Sequence, residues 1–250
     1  MLLKDYYPKL NKKFIKLSFN GIAFDSNKVK KDYIFFAIKG NNLDGNKFIK
    51  DAIKKGSKII ISEKVKERIE NNILYIKNKN PRKLLAEFSA KINYKRPNNL
   101  IAVTGTNGKS SVANFYYQIL KLNKIKVSSI GTLGIDGYNY KKISSNTTFD
   151  PINLNNILTN LKKKKINNVI LEASSHGLKQ HRLDGLKFDL GIFTNLSRDH
   201  LDYHKTFKNY FNSKLILFKK LMKKKSNIIF DEDLNITKKI KNISKVNNLK

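Results

Sequence analysis

The chain has 250 residues, enough for one large or two modest domains, and its 40% hydrophobic content is sufficient for a packed core. It contains no cysteine, which excludes a disulfide framework and a thiolate metal site. The formal net charge of +32 suggests an anionic partner, but the lysines are spread along the chain, with short runs at 162–165 and 223–225. A nucleic-acid-binding protein would need clustered basic patches with interleaved aromatic residues. We therefore expect mostly solvated lysines and no nucleic-acid partner.

The sequence contains no apolar stretch typical of a membrane or export signal. The N-terminal MLLKDYYPKL lacks the long apolar run of a signal peptide, and no later stretch approaches the roughly 20 apolar residues of a membrane span. We therefore expect a cytoplasmic protein without a membrane partner. We also expect it to be a monomer.

The first elements predicted in chain order belong to a small α/β domain over residues 1–96. Apolar patterns predict strands at 33–40 and 57–62 and helices at 46–56 and 81–92. Gly56 ends the first of these helices and Pro81 begins the second. The polar segment NYKRPNN at 93–99 separates two regions that differ in their sequence pattern, and we place the domain boundary there.

After this boundary, over residues 97–250, strands and helices alternate regularly. Near-continuous apolar runs predict strands at 100–103, 126–130, 168–171, 188–193 and 227–230, and helical spacing predicts helices at 109–122, 153–164 and 206–222. This alternation predicts an α/β fold with a mostly parallel sheet covered by helices. Because ligands bind at the carboxyl ends of parallel strands, we expect the functional residues directly after the apolar runs.

A phosphate-binding loop is predicted where the first of these strands runs into TGTNGKSS and then into a helix. Gly105 and Gly108 allow backbone N–H groups to approach an anion, and the helix N-terminus adds its dipole. Lys109 supplies a charge, and Ser110 can offer a hydroxyl to Mg²⁺. The common G-x-x-x-x-G-K-[ST] spacing would need a glycine where Val103 stands. A glycine-rich connecting turn is the alternative, and the Lys-Ser pair at the helix start argues against it.

A second polar segment, EASSHGLKQHR, follows the strand predicted at 168–171. Glu172 is placed at the strand end as a Mg²⁺ carboxylate, and Arg182 is suited to a substrate carboxylate or phosphate. Ser174 and His176 could suggest a Ser–His nucleophile, but a G-x-S-x-G elbow is absent from the sequence. We therefore favour a metal and anionic-substrate site.

A third polar segment, TNLSRDHLDYH, follows the next strand. His200 and His204 are four residues apart, as on one helix face, and a zinc pair is conceivable. The glutamate of the H-E-x-x-H motif is missing, however. We favour a polar cluster beside a nucleotide, in which Asn195, Arg198 and His200 lie near the phosphates or the metal.

The phosphate loop GTNGK[ST] resembles that of the Mur ligases and their folylpolyglutamate-synthase relatives. The pattern E-x-SSH-x-L-x-x-x-R followed by TNLSRDHLDYH resembles the MurE-type ligases, which add the third amino acid to UDP-N-acetylmuramoyl-L-alanyl-D-glutamate in peptidoglycan synthesis. Residues 24–61 resemble the uridine-nucleotide domain of that family, although Asn27 replaces its usual arginine. NTTFDP resembles the segment with two substrate-binding threonines, and FNSKLILF contains Lys214 where the family has a carbamylated lysine. The resemblance spans about residues 22–230.

The resemblance implies an ATP-dependent peptide ligase that forms an acyl phosphate and joins a diamino acid, meso-diaminopimelate or L-lysine, to the UDP-N-acetylmuramoyl-dipeptide. The implied cofactors are ATP, one or two Mg²⁺ ions and carbamylated Lys214. The implied ATP-binding residues are Gly105, Thr106, Asn107, Gly108, Lys109, Ser110, Ser111, Asn195 and Arg198. The implied substrate-binding residues are Ser26, Asn41, Thr147, Thr148, Ser174, Gln180 and Arg182. The implied catalytic residues are Lys109, Lys214 and His200, and the implied metal ligands are Ser110, Glu172, carbamylated Lys214 and His200.

The family normally has a third, C-terminal domain that binds the incoming amino acid. This sequence stops at Lys250, soon after a predicted late strand, so we expect that domain to be absent and the central domain to be incomplete. The alternatives are a truncated nucleotide- and UDP-sugar-binding module without full activity, and a folylpolyglutamate-synthase-like ligase. The SSHGLKQHR run argues against the latter.

Overall fold

A computed structural model of the chain describes residues 1–7, 14, 16–40, 43–137, 147–233 and 236–250. The chain divides into two compact units, Met1–Ile92 and Asn93–Lys250. Each unit is an α/β structure with its own mostly parallel sheet. The predicted fold class, with a mostly parallel central sheet covered by helices, is therefore confirmed.

In the described part of the first unit, five strands form one sheet in the order β1-β2-β3-β5-β4. The strands are β1 (Gly21–Ala23), β2 (Tyr33–Ala37), β3 (Ser57–Ser62), β4 (Arg68–Glu70) and β5 (Ile73–Lys77). The helices are α1 (Ile49–Lys54) and α2 (Pro81–Ile92), with short 3-10 helices at Leu3–Asp5, Ser26–Lys28 and Gly45–Phe48. Only the β4–β5 pair is antiparallel among these described pairs, and its turn consists of Asn71 and Asn72, both with positive φ. Asparagine tolerates that conformation, so the two residues suit a tight hairpin turn.

In the described part of the second unit, six strands form a sheet in the order β11-β10-β6-β9-β7-β8. The strands are β6 (Asn99–Thr104), β7 (Val127–Gly131), β8 (Gly134–Asp136), β9 (Asn168–Glu172), β10 (Phe188–Phe193) and β11 (Met222–Phe230). The helices are α3 (Lys109–Leu122), α4 (Pro151–Lys163), α5 (Ser175–Lys179), α6 (Leu201–His204), α7 (Phe207–Ile216) and α8 (Thr237–Val246). A π-helical turn, Leu217–Leu221, links α7 to β11.

The central strand β6 shows why the apolar runs of this unit are continuous. Leu100 and Ala102 belong to one apolar cluster, while Ile101 and Val103 belong to a different one. Successive side chains of a strand point to opposite faces of a sheet, so both faces of β6 are covered by apolar side chains. The carboxyl end of this buried strand is where the phosphate loop begins.

Most predicted elements of the second unit agree with the structure, and helix α3 has the predicted bounds. Helix α4 begins two residues earlier than predicted, because the Asp150 carboxylate caps it by accepting the N–H groups of Ile152 and Asn153. The helix predicted at 206–222 ends at Ile216 and continues as the π-helical turn, and β11 begins at Met222 rather than at 227. Apolar spacing alone does not distinguish a π-helical turn from an α-helical one.

In the part of the chain that the structure describes, none of the helices is long and apolar enough to cross a bilayer.

Candidate active site

The phosphate loop lies between the end of β6 at Thr104 and the start of α3 at Lys109. Gly105 has a φ of 145°, and a Cβ atom added there would meet the Thr194 hydroxyl oxygen at 1.9 Å. Gly108 caps α3 in the left-handed region, with a φ of 79°. Position 105 therefore requires glycine for both space and backbone conformation, and position 108 requires it for backbone conformation.

The loop is held by the segment that follows β10. Asn195 binds it at two points, because its carbonyl accepts the Thr106 N–H at 3.0 Å and its side-chain oxygen accepts the Asn107 N–H at 2.9 Å. The Thr194 hydroxyl donates to the Asn107 carbonyl at 2.6 Å. Asn195 was predicted to contact a nucleotide, and the geometry adds that it supports the shape of the phosphate loop.

Two lysines converge on one carbonyl of the loop. Lys109 Nζ donates to the carbonyls of Gly105 at 3.0 Å and Thr106 at 2.6 Å, and Lys214 Nζ donates to Gly105 at 2.5 Å. Lys214 lies on α7, is 1% exposed, and its ammonium lies 4.3 Å from the centre of the Tyr210 ring. Burial, and then the positive charge of Lys109, lower the pKa of Lys214 to about 7. Burial also lowers the pKa of Lys109, while the carboxylates of Glu172 and Asp199 act in the opposite direction.

Glu172 ends strand β9 and is 3% exposed. Its carboxylate accepts the Thr132 N–H at 3.0 Å and the Thr132 hydroxyl at 3.2 Å. A Cβ atom at Gly131 would meet Glu172 Oε1 at 2.1 Å, so glycine makes the room in which this carboxylate lies. The acid is therefore fixed at a strand end, with oxygen atoms suited to a hard cation.

A pocket of about 320 Å³ joins these groups. The predicted site residues that line it are Thr106, Asn107, Gly108, Lys109, Ser110, Ser111, Thr147, Glu172, Ser174, His200 and Lys214. Thr132 and Tyr210 line it as well, and sequence reasoning missed both. Tyr210 could have been found by its place four residues before Lys214 on a predicted helix, since such residues share a helix face.

The other predicted residues lie outside the lining of this pocket. Arg182 donates to the Thr148 carbonyl at 2.6 Å and to the Gln180 side chain at 2.8 Å, and Gln180 donates to the Tyr203 hydroxyl at 3.2 Å. Thr148 donates to the Glu172 carbonyl at 2.9 Å, which connects this group to the pocket. Arg198 is exposed, Ser26 is buried in the first unit, and Asn41 lies outside the described residues.

The histidines of the site form an aromatic cluster in which the histidine rings meet edge to face. His176 lies 4.8 Å from His200, 5.4 Å from His204 and 4.2 Å from Tyr203, measured between ring centres. His204 is 4% exposed, neither of its ring nitrogens has a hydrogen-bond partner among the described residues, and burial, followed by the charge of His176, lowers its pKa to about 4. Among those residues, no group of three histidine, aspartate or glutamate side chains is arranged to hold a metal ion. The zinc interpretation therefore has no support from the described geometry.

The Ser–His interpretation has no geometric support either. The Ser174 hydroxyl accepts the Gly177 N–H at 3.0 Å and so caps helix α5. It also lies 3.0 Å from the Thr148 hydroxyl. His176 stacks on Tyr203 instead of pairing with this hydroxyl. Ser174 is therefore a capping residue at the edge of the pocket.

The comparison with known families covers both units. The family description "Mur ligase middle domain" matches residues 103–250, which is more than half of the chain. This chain belongs to the Mur ligase family. A second description, "Mur ligase family, catalytic domain", matches residues 18–93 of the same Mur ligase chain. The predicted resemblance is thereby confirmed.

Curated relatives of this Mur ligase chain have one name in common. The protein of Rickettsia typhi named UDP-N-acetylmuramoyl-L-alanyl-D-glutamate--2,6-diaminopimelate ligase is 38% identical over 245 residues, which cover 96% of this chain and 49% of the relative. The protein of the same name from Wigglesworthia glossinidia brevipalpis is 41% identical over an alignment of 253 positions, and the alignment covers 96% of this chain and 51% of the relative. The chain thus spans about half the length of these relatives.

Solved Mur ligase structures have the same fold. A structure of UDP-N-acetylmuramoyl-L-alanyl-D-glutamate--2,6-diaminopimelate ligase covers 99% of this chain with a TM-score of 0.79 and 28% identity, and the match spans 50% of that structure. The Escherichia coli FolC structure covers 67% of this chain, with a TM-score of 0.51 and 17% identity. The folylpolyglutamate-synthase-like alternative is therefore the weaker match.

Proposed function

We propose that this Mur ligase chain carries the ATP- and UDP-substrate-binding residues of an acid–amino-acid ligase. The reaction adds a diamino acid to UDP-N-acetylmuramoyl-L-alanyl-D-glutamate through an acyl phosphate. The proposal rests on the observation that the phosphate loop, the buried Glu172 and the polar groups of Thr147 and Ser174 line the same pocket. The relatives named as such ligases, at 38% and 41% identity, support this choice of reaction.

ATP would bind with its phosphates on the loop amides and at the start of helix α3. Lys109 Nζ contacts the carbonyls of Gly105 and Thr106, and it would exchange these contacts for the phosphates. Phosphoryl transfer depends on positioning and on charge neutralisation more than on covalent help from the protein. A lysine and backbone amides that already face one pocket meet that need.

The residues fit a Mg²⁺ site. Glu172 offers a buried carboxylate in the space left by Gly131, and Ser110 and His200 line the same pocket. Oxygen atoms are the ligands that Mg²⁺ prefers. When bound, one or two Mg²⁺ ions would neutralise charge on the phosphates. Glu172, Ser110, His200 and a carbamylated Lys214 would hold them.

Lys214 is proposed to carry a carbamate. Its pKa of about 7 leaves a large fraction of the amine neutral near neutral pH. The ammonium first releases one proton. The neutral amine then adds to CO₂ by forming an N–C bond, and the adduct releases a second proton, so that a cation becomes an anion overall. The neighbouring Lys109, whose charge disfavours an ammonium at Lys214, would stabilise that anion.

The UDP-N-acetylmuramoyl-dipeptide is the proposed partner. Its proposed contacts are Ser26, Asn41, Thr147, Thr148, Ser174, Gln180 and Arg182. The hydrogen bonds from Arg182 to the Thr148 carbonyl and from the Thr148 hydroxyl to the Glu172 backbone carbonyl support this set. They connect a cation suited to carboxylates with the strand end where the buried acid lies. We further propose a monomer that acts in the cytoplasm and binds neither nucleic acid nor membrane.

Positional isotope exchange tests the proposed chemistry without the diamino acid. ATP labelled with ¹⁸O in its β,γ-bridge is incubated with the chain, Mg²⁺ and UDP-N-acetylmuramoyl-L-alanyl-D-glutamate. Reversible transfer of the γ-phosphoryl group to the glutamyl carboxylate frees the β-phosphate to rotate, so label enters its non-bridging positions. UDP-N-acetylmuramate, which lacks that carboxylate, should give no exchange.

The alternative is a nucleotide- and UDP-sugar-binding module without ligase activity. Tight binding of both ligands without isotope exchange would support this alternative and contradict the ligase proposal.

A further inference from the structure

Tyr210 is a fully buried residue of α7 that no proposed step uses. It is 0% exposed and lies one helical turn before Lys214. The two side chains contact neighbouring residues of the phosphate loop. Tyr210 contacts the Thr106 hydroxyl at 3.0 Å, and Lys214 donates to the Gly105 carbonyl. Helix α7 is thus attached to the loop at two adjacent points.

The Thr106 hydroxyl is the centre of a small network. It donates to the Ser197 carbonyl at 3.3 Å and accepts the Ser197 N–H at 3.0 Å. A threonine hydroxyl has one hydrogen to donate and two lone pairs to accept with. Because its hydrogen is used on Ser197, the hydroxyl of Tyr210 is the donor in their contact. All three capacities of Thr106 Oγ1 are then satisfied.

We propose that Tyr210 is a positioning residue that fixes the phosphate loop through its hydroxyl group. The bond to Thr106 joins three parts of the site: the loop, helix α7 and the segment containing Ser197. Lys109 and Lys214 both bind the Gly105 carbonyl through a cationic group, whereas the contact of Tyr210 with Thr106 is a neutral attachment of helix α7 to the loop. It remains when either lysine turns to a ligand. The consequence for nucleotide binding rests on the proposed function, whereas the loop geometry does not.

The ring and the hydroxyl of Tyr210 can be tested separately. The ring packs against His204 at 5.3 Å between centres and lies beneath the Lys214 ammonium. Tyr210→Phe keeps this packing and removes only the hydrogen bond. Thr106→Val removes the hydroxyl from the other side, and Thr106→Ser retains it. Tyr75→Phe is the matched control, because Tyr75 is also buried, at 9% exposure, but lies in the first unit.

Amide hydrogen exchange of the ligand-free chain, measured by NMR, tests the positioning role. In Tyr210→Phe the amides of Thr106 and Ser197 should exchange about five- to tenfold faster, the effect expected for one lost hydrogen bond. Thr106→Val should show an increase at least as large, because it also removes both contacts of Thr106 with Ser197, whereas Thr106→Ser and Tyr75→Phe should not. Unchanged exchange at these amides, or an equal increase across the whole second unit, would overturn the proposal.

Nucleotide affinity measures the consequence for ligand binding. The affinities of ADP and AMP are compared in the wild-type chain and in Tyr210→Phe. Loss of loop geometry should weaken ADP about five- to tenfold and AMP less, because the β-phosphate depends on the loop amides. Equal losses would overturn a role in phosphate positioning. If the wild-type chain does not bind ADP, the proposed function fails, and the exchange measurement still decides the role of Tyr210.

Discussion

The two units of this chain have similar sheets but bury different polar groups. Among the described residues, the buried polar side chains of the first unit are all serines, at positions 26, 57, 62 and 89. The second unit buries Glu172, Asp184, His204 and Lys214 as well as neutral polar side chains. Burying an ionisable group is costly unless it is paired or neutralised. A fold of this class therefore does not need such groups, and two of them, Glu172 and Lys214, line the candidate pocket.

The buried groups of the two units also differ in how they are satisfied. In the first unit, the Ser57 hydroxyl donates to the Tyr33 carbonyl, and Ser62 donates to the Asn46 side chain. In the second unit, Glu172 and Lys214 line one pocket, and His204 has no hydrogen-bond partner among the described residues. The second unit therefore keeps ionisable side chains in surroundings that lower the pKa values of Lys214 and His204, a pattern typical of functional sites.

The largest expected effect is the pH dependence of stability due to Lys214. Its pKa is about 7 in the folded chain and near 10.5 when unfolded, so between these values the unfolded chain binds one more proton. Stability should therefore rise with pH, by about 1.4 kcal/mol per unit, or about 3 kcal/mol from pH 7.5 to 9.5. Urea unfolding in CO₂-free buffer, with wild type compared with Lys214→Met, isolates this contribution. Parallel pH profiles for the two proteins would mean that folding does not lower the pKa of Lys214.

The next largest effect is expected from Lys109→Met. It removes the charged hydrogen-bond donor that we assign to the phosphates, and ADP should bind roughly 10- to 100-fold more weakly. Calorimetry with Mg²⁺ present measures the change. An affinity within threefold of wild type would show that the second unit does not use this lysine for the nucleotide.

A smaller effect is expected from Glu172→Gln. The amide keeps the shape of the side chain and an acceptor for Thr132, but it removes the negative charge. The enhancement of ADP affinity by Mg²⁺ should fall about tenfold, while ADP affinity without metal changes little. Titrations of ADP with and without Mg²⁺ separate the effect on the Mg²⁺ enhancement from the effect on metal-free ADP affinity. Equal Mg²⁺ enhancement in both proteins would remove Glu172 from the metal site.

The smallest effect is expected in the first unit, from Lys58→Met. Lys58 pairs with Asp32 at 2.6 Å, but its side chain is 58% exposed. Exposed pairs of this kind contribute about 0–1 kcal/mol, so stability should change by about 0.5 kcal/mol or less, and ADP affinity should not change. Because lysine is replaced by methionine at both positions, comparing Lys58→Met with Lys109→Met shows whether the loss of ADP affinity is specific to the second unit. A loss of ADP affinity here would contradict that contrast.

The phosphate loop could be predicted because its signals are local. A strand, two glycines, Lys109 and Ser110 follow one another directly, and α3 has the predicted bounds. The β4–β5 hairpin was missed although its Asn71-Asn72 turn is also local, because the flanking strand of residues 68–70 is short and exposed.

The environment of Lys214 could not be read from local sequence. The Gly105 carbonyl and Lys214 are 109 residues apart in sequence, and Tyr210 and Thr106 are 104 apart. Periodicity places Tyr210 and Lys214 on one face of a helix, but it does not say that this face meets the phosphate loop. Only the order of strands in the sheet brings β6 and the segment after β10 together. For the same reason, the stacking of His176 on Tyr203 was not predicted.

The most direct test is calorimetric titration of the purified chain with UDP-N-acetylmuramoyl-L-alanyl-D-glutamate, with UDP-N-acetylmuramate as the comparison. The proposed contacts in the first unit should bind both compounds. The polar groups of the second unit, including Ser174 and Arg182, should favour the dipeptide form. We predict saturable binding with a clear preference for the dipeptide. Equal affinities, or no heat from a folded sample, would contradict the assignment of this substrate.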